Sequence, residues 1–300
     1  NATVVVPFTS RNIASVTVST IPDGWTVEKV DLVNRTLTIK APSAFAADGN
    51  KIEENGELRL RGYTPAGTSV AATSYLSLLN KHQDLSDKYS NSYVLTQKNT
   101  RYTIDLTHKG ESSEVINPDG AYVLWQTDDD LIKYSSYDNK TGKFTFFVGV
   151  EEIKDDNNKV IDTKVPDGNA LVVAFDAEGN TLWSWHLWVT GSDVETTAIE
   201  TSVGTFMDRN LGAYHNSNGS TKIDDIYRSY GLYYQWGRKD PFVRPQDYKF
   251  TGDNDQSVWN FQSTTMKFHY IDADDDEGVG TEEYAMLNPM NYILGSKDNA

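Results

Sequence analysis

A repeated period of two constrains this chain more than any other feature. Thr36-Leu37-Thr38-Ile39-Lys40 and Glu57-Leu58-Arg59-Leu60-Arg61 alternate apolar and polar residues. Successive side chains of an extended strand point to opposite faces, so Leu37, Ile39, Leu58 and Leu60 are expected on buried faces and their neighbours in water. Tyr102, Ile104 and Leu106 alternate with Arg101, Thr103, Asp105 and Thr107 in the same way. Turn signals separate such runs: Pro22-Asp23-Gly24, Asp48-Gly49-Asn50-Lys51, Asp138 to Lys143, and Asp176 to Asn180. Short alternating segments between turns predict packed sheets rather than a helical bundle.

The alternation falls into blocks. Residues 1–80 read as an Ig-like β-sandwich that starts with the β-branched run Thr3–Phe8 and ends with Val70–Leu79. Polar residues 80–91 mark a boundary. Residues 92–190 read as a second sandwich, with strands at Ala121–Thr127, Leu131–Tyr137, Phe144–Val150, Ala170–Phe175 and Thr181–Val189. Val172–Phe175 is apolar without alternation, which predicts a central strand buried on both faces. After a polar stretch, residues 203–300 change character. Loops are expected to dominate there, with short helices at Ile223–Tyr230 and from Glu282, where Pro289 would kink or end the helix. The expected fold class is therefore mainly β, two tandem sandwiches followed by an α+β segment.

Charge and composition remove several functions. Lys and Arg number 27 against 43 Asp and Glu, a net charge of −16. No basic surplus exists to displace counterions from nucleic acid or to bind an anionic membrane surface. There is no Cys, which excludes disulfide scaffolds, cysteine-ligated zinc and cysteine nucleophiles. No apolar run reaches the roughly 18–20 residues of a membrane-spanning helix. The first residue is Asn1 rather than Met, so removal of an N-terminal piece is expected.

Three segments carry a resemblance. They are Gly179 to Thr190 (GNTLWSWHLWVT), Phe206 to Ala213 (FMDRNLGA) and Gly231 to Phe242 (GLYYQWGRKDPF). In this order they resemble the fimbrillin-like and surface-lipoprotein chains of Bacteroidota. The last two are similar to the start of the major paralogous domain called FISUMP, itself similar to C-type-lectin-like folds. Residues 1–80 resemble the Ig-like modules that precede such domains. The resemblance implies an exported protein of the outer-membrane surface or extracellular space, with a binding or adhesive role. FISUMP domains usually continue into a Cys-Pro segment. Its absence here implies a partial or variant C-type-lectin-like domain at 203–300.

The candidate ligand-binding residues come from the same segments. As a strand, Leu182–Val189 places Trp183, Trp185, Leu187 and Val189 on one face and Leu182, Ser184, His186 and Trp188 on the other. Indole faces stack on sugar C–H groups and polar neighbours bind hydroxyls, so Trp188 and His186 are candidates; a core strand is the competing reading. Tyr234 and Trp236 are expected on one face of a glycine-bounded strand, followed by Arg238, Lys239 and Asp240 on a loop. Tyr234, Trp236, Arg238 and Asp240 complete the candidate set, against a purely structural reading in which Asp208 and Arg209 form a buried pair with that loop. Asp272, Asp274 and Asp276 have D-x-D-x-D spacing with Glu283 at position twelve, a pattern of hard oxygens that suits Ca²⁺; a solvated acidic loop is the alternative.

No nucleophile elbow, H-E-x-x-H zinc motif or phosphate loop is present. The leading expectation is a non-catalytic surface protein that binds glycan or a host or surface glycoprotein. A fimbrial or tip subunit that joins other subunits by β-strand addition through Thr3–Phe8 is the alternative. Because 43 carboxylates can supply an acid–base pair, polysaccharide hydrolysis is a third reading.

Overall fold

The computed structural model describes residues 3–42, 56–76, 81–128, 131–243, 247–250, 256–261, 264–273 and 278–295, with side-chain surroundings for all of these but 75, 81, 224, 247–250, 256–261 and 264–267. The chain divides into two units, Asn1–Lys81 and His82–Ala300. The architecture is mainly β.

In the first unit β1 (Thr3–Pro7), β2 (Ser15–Thr20), β3 (Thr26–Asp31), β4 (Thr36–Lys40), β5 (Gly56–Tyr63) and β6 (Ser69–Leu76) form two three-stranded antiparallel sheets, ordered β1-β4-β3 and β2-β5-β6. The period-two pattern decides the packing. Leu37 and Ile39 of β4 and Leu58 of β5 are fully buried with Trp25, Ala41 and Leu76, and Leu60 is half-buried beside them. Gly24 takes φ +78° in the turn before Trp25, where the Trp25 N–H donates to the Pro22 carbonyl at 3.2 Å.

The second unit is built on another sandwich. Its strands are β7 (Lys81–Asp84), β8 (Ser92–Leu95), β9 (Thr100–Asp105), β10 (Gly120–Gln126), β11 (Ile132–Asp138), β12 (Lys143–Val148), β13 (Glu151–Lys154), β14 (Val160–Lys164), β15 (Gly168–Phe175) and β16 (Thr181–Val189). One sheet runs β10-β15-β16-β8, the other β11-β12-β9-β7, and β13 and β14 form a separate hairpin. β16 and β8 pair in parallel; the other pairs of that sheet are antiparallel. The core between the sheets takes Tyr102, Ile104, Phe144 and Phe146 from one side and Val172, Trp185, Leu187 and Val189 from the other. β15 lies between β10 and β16 and is buried along almost its whole length, as its unbroken apolar run predicts.

The remainder of this unit comprises β17 (Ile199–Thr201), β18 (Gly204–Phe206), α1 (Ile223–Arg228), β19 (Asp247–Phe250), β20 (Gln256–Phe261), β21 (Thr264–Asp272), α2 (Glu282–Leu287) and β22 (Asn291–Leu294). The two helices fall where the sequence places them, and α2 stops before Pro289. Thr281 caps α2 by accepting the Tyr284 N–H, with Glu282 and Glu283 in the first turn. Loops hold residues 207–222 and 229–243. The sheet β19-β20-β21-β22 departs from the expectation of loops, because Thr, Gln, Asn and Lys interrupt the apolar alternation that would announce it. β21 and β22 are parallel, and α2 lies in the crossover between them.

This C-terminal segment covers the outer face of the β10-β15-β16-β8 sheet. Trp125 and Leu171 from that face join Phe242, Val243 and Phe268 in a second core. The two inner strands β15 and β16 are thereby buried on both faces, which sets the environment of every candidate residue on β16.

Candidate functional site

From Trp183 onward the two faces of β16 separate as the alternation predicts, whereas Leu182, at a register irregularity, packs against the inter-sheet core and not with Ser184, His186 and Trp188. Trp183, Trp185, Leu187 and Val189 belong to the inter-sheet core. Ser184, His186 and Trp188 point to the outer face, yet that face is not a platform in solvent. Trp188 is only 1% exposed, and its indole N–H donates to the Ala213 carbonyl at 3.2 Å. His186 is enclosed between Ser92 and Asn169, each 3.0 Å from a ring nitrogen, and the Asn169 amide donates on to the Gly212 carbonyl at 2.9 Å. Desolvation pulls the His186 pKa down to about 4, so the ring is neutral at physiological pH. The amide arrangement fixes its tautomer: Nε2–H donates to Asn169 Oδ1, and Nδ1 accepts from the Ser92 hydroxyl. The bulk of Trp188 is therefore spent on attaching the loop around Gly212 to the sheet.

Arg238 and Asp240 are likewise interior. Gly237 turns the chain at φ +76°, and Arg238 then reaches inward. Its guanidinium donates to the Asp240 carbonyl at 3.0 Å, to Asn291 at 2.6 Å, to Asn288 at 3.3 Å and to Pro289, and it lies 4.2 Å from the Phe242 ring centroid. The last three carbonyls lie just beyond the C-terminus of α2, where a cation complements the helix dipole. Burial lowers the Arg238 pKa to about 10, which still leaves it charged at neutral pH. Gln235 acts on the next strand: its amide donates to the Ile293 carbonyl and accepts the Ile293 N–H at 3.2 Å.

Asp240 holds the loop to β16. Ser184 Oγ lies 2.8 Å from both Asp240 carboxylate oxygens, and Lys239 Nζ lies 2.8 Å from Asp240 Oδ1 while also donating to Ser184. The ammonium stands 4.5 Å from the Trp183 ring. A serine beside a lysine has the composition of a nucleophile and its base. Here Ser184 is fully buried within a strand, and Asp240 favours the charged lysine against the desolvation that lowers its pKa. The trio ties the 238–240 loop to β16, with Ser184 and Asp240 buried.

Asp208 and Arg209 pair with each other rather than with the 238–240 loop. The guanidinium meets the carboxylate through two bonds of 2.8 and 2.9 Å and donates to the Tyr214 carbonyl at 3.2 Å. The guanidinium lowers the Asp208 pKa.

Tyr234 and Trp236 are the candidates that reach solvent, at 42% and 94% exposure. They are not alternate positions of a strand. Tyr233 and Phe242 form an isolated bridge, with bonds of 2.9 and 2.7 Å, and the chain turns at Trp236-Gly237. No strand continues from the single bridge at Tyr233, and Tyr233 and Tyr234 both line a surface groove of about 760 Å³. The groove also includes Phe206, Met207, Arg209, Asn210, Leu211, Tyr230, Gly231 and Leu232. Phe206, Tyr230 and Tyr233 are exposed. The Tyr234 hydroxyl is pushed up to about 12 by desolvation and by the Asp240 charge, so it remains a neutral donor. Two of the recognisable sequence segments, Phe206 to Ala213 and Gly231 to Phe242, thus meet as the walls of one groove. Phe206, Tyr230 and Tyr233 are absent from the sequence-derived candidates because no local spacing relates them.

Asp272 ends β21, and Glu283 is exposed in the first turn of α2. Asp274 and Asp276 lie outside the described residues. Among the described residues, no three His, Asp or Glu side chains gather as a cation site.

No family model matches the chain, and no curated protein matches it. Solved structures that align with part of it include the following two. One is the Bacteroides ovatus mixed-linkage glucan utilization locus SGBP-B in complex with a mixed-linkage heptasaccharide, at 11% identity and TM-score 0.19, covering 63% of this chain and 41% of that one. The other is the zebrafish RET cadherin-like domains 1 to 4, at 10% identity and TM-score 0.19, with the same coverage. The chain spans less than half the length of either. At that similarity neither alignment assigns a ligand.

Proposed function

We propose that this chain is a non-catalytic surface protein that binds glycan through the Phe206–Tyr230–Tyr233–Tyr234 groove. The carrying observation is the gathering of four exposed aromatic rings on one open groove. Sugar rings bury their C–H faces on such rings while their hydroxyls meet Asn210 and the phenols of Tyr230 and Tyr233. Each contact is weak, and display of many copies on a cell supplies avidity. The candidate set narrows accordingly. Tyr234 contacts ligand and Trp236 extends the surface beside it, whereas Trp188, His186, Arg238 and Asp240 hold the loops that form the groove. Calorimetric and glycan-array titration of the whole chain and of Tyr233→Ala/Tyr234→Ala tests this. Binding that the double variant loses supports it; no glycan binding, or binding that the variant keeps, removes it.

The resemblance further supports export to the outer-membrane surface or extracellular space, in a fimbrillin-like or lipoprotein chain whose residues 203–300 are a partial FISUMP domain. A three-part division at 1–80, 92–190 and 203–300 belongs to the same proposal. The calcium reading of Asp272, Asp274, Asp276 and Glu283 stands on spacing. A melting temperature raised by Ca²⁺ and unchanged by Ca²⁺ in Asp272→Asn supports it; no rise removes it.

One observation favours assembly as the second reading. β1 is one of the two edge strands of its sheet, and Val6 and Phe8 at its end pack on the core of the first unit. Replacing that strand with one from another subunit would satisfy the same edge. Chromatography that shows only monomer, with and without residues 1–8, counts against this reading.

A further inference from the structure

Resting on the glycan-binding reading, we infer that the groove selects neutral glycans over uronate- or sulfate-bearing ones. Anionic polysaccharide recognition needs a cation able to turn toward the ligand. Among the described residues of the groove wall, Arg209 is the one charged side chain, and it is not available. Its side chain is 2% exposed, its Nε and Nη2 are held by both carboxylate oxygens of Asp208, and Nη1 is directed at the Tyr214 carbonyl. Turning it outward would strand a buried carboxylate.

Among the described residues, three further cations of the flanking segments also have partners, Arg228 with its side chain 33% exposed and Lys239 and Arg238 more deeply held. Arg228 pairs with Asp167 at 2.7 Å and lies over the Tyr214 ring. Lys239 is clamped between Ser184 and Asp240, and Arg238 is bound to backbone carbonyls. The groove itself offers aromatic faces, phenols and the Asn210 amide. These recognise hydroxyls and C–H surface and give no charge–charge attraction. The net charge of −16 adds a repulsive field against a polyanion.

The floor of the groove is also fixed before a ligand arrives. The Leu232 N–H donates to the Leu211 carbonyl at 2.9 Å, which ties the two walls together. A preformed neutral surface loses little entropy when an uncharged chain settles on it.

Affinity electrophoresis of the whole chain through gels containing xyloglucan, galactomannan or laminarin, and in parallel polygalacturonate, hyaluronate or heparin, tests the inference. The expected result is retardation by at least one neutral polymer, none by the acidic ones, and retardation within about twofold from about 0.02 to about 0.5 M salt. Tyr234→Ala abolishes it while the near-UV circular dichroism keeps its folded signature. Retardation by an acidic polymer that fades with salt overturns charge selectivity and leaves glycan binding standing. Absence of retardation by all six polymers overturns both.

Discussion

The Ser184 hydroxyl bridges both oxygens of the Asp240 carboxylate at 2.8 Å, joining a central strand to a loop 56 residues later. Both groups are buried, and Lys239 neutralises the carboxylate at 2.8 Å. The clamp orders the segment that carries Tyr233 and Tyr234, so aromatic groove and buried charges form one construction.

Removing Asp240 therefore does more than delete a bond. Asp240→Ala leaves Lys239 charged in a desolvated place and releases Arg238's neighbour. The expected loss is about 3–5 kcal/mol, the range for breaking one partner of a buried pair. Ser184→Ala leaves the Lys239–Asp240 pair intact and costs about 1 kcal/mol. Urea unfolding of the two variants checks the order; equal losses would show that the charge is solvated.

His186 sets a pH dependence. Its pKa is about 4 in the folded chain against 6.5 when solvated. The unfolded chain binds the proton first as pH falls. Stability is complete above about 6.5 and declines between there and about 4, by about 3.5 kcal/mol in all at about 1.4 kcal/mol per unit. The lowered carboxylates, among them Asp138, Asp176 and Asp208, act below that window, because they titrate below their ordinary value of 3.8. His186→Gln is expected to flatten the slope between pH 6.5 and 4. Parallel slopes for both proteins would place the titration elsewhere.

The alternation makes most of the sandwiches legible, since burying one face of a strand requires period two. It also sorts the faces of β16. It does not reveal that the polar face of β16 is covered, because Ser184, His186 and Asn169 look solvent-facing until their partners arrive from loops many residues away. Trp188 looks like a ring to expose for the same reason. The groove is hidden because it forms where residues 206–211 meet residues 230–234, joined by the Leu232 N–H to Leu211 carbonyl bond, and not along one strand. Pairings over such separations leave no local period.

Trp236 gives a spectroscopic handle. At 94% exposure it has no packing to lose, and Trp236→Phe is expected to change stability by less than about 0.5 kcal/mol. Trp25, Trp125, Trp183, Trp185 and Trp188 are buried and are expected to be shielded from iodide. Difference spectra between wild type and Trp236→Phe should therefore isolate a red-shifted component that iodide quenches. A neutral glycan that seats beside Tyr234 and reaches this loop shields that component. A difference spectrum lacking the iodide-sensitive component would mean that the ring is covered.

Gly231 tests whether the groove needs its present shape. A Cβ at this position would lie 2.5 Å from the Leu211 carbonyl oxygen and 2.7 Å from Asn210 Cβ. The oxygen belongs to the backbone and accepts the Leu232 N–H, so neither partner yields without opening the bond that joins the walls. Gly231→Ala is expected to cost about 1–3 kcal/mol as an overpacked contact. Because the strain falls on the groove and not on the inter-sheet core, the sandwich should stay folded while glycan affinity drops by about tenfold or more, roughly 1.4 kcal/mol of binding. Calorimetric titration beside a thermal melt separates the two effects. Unchanged affinity in a folded Gly231→Ala protein would show that the walls adjust freely and that the ligand does not depend on their spacing.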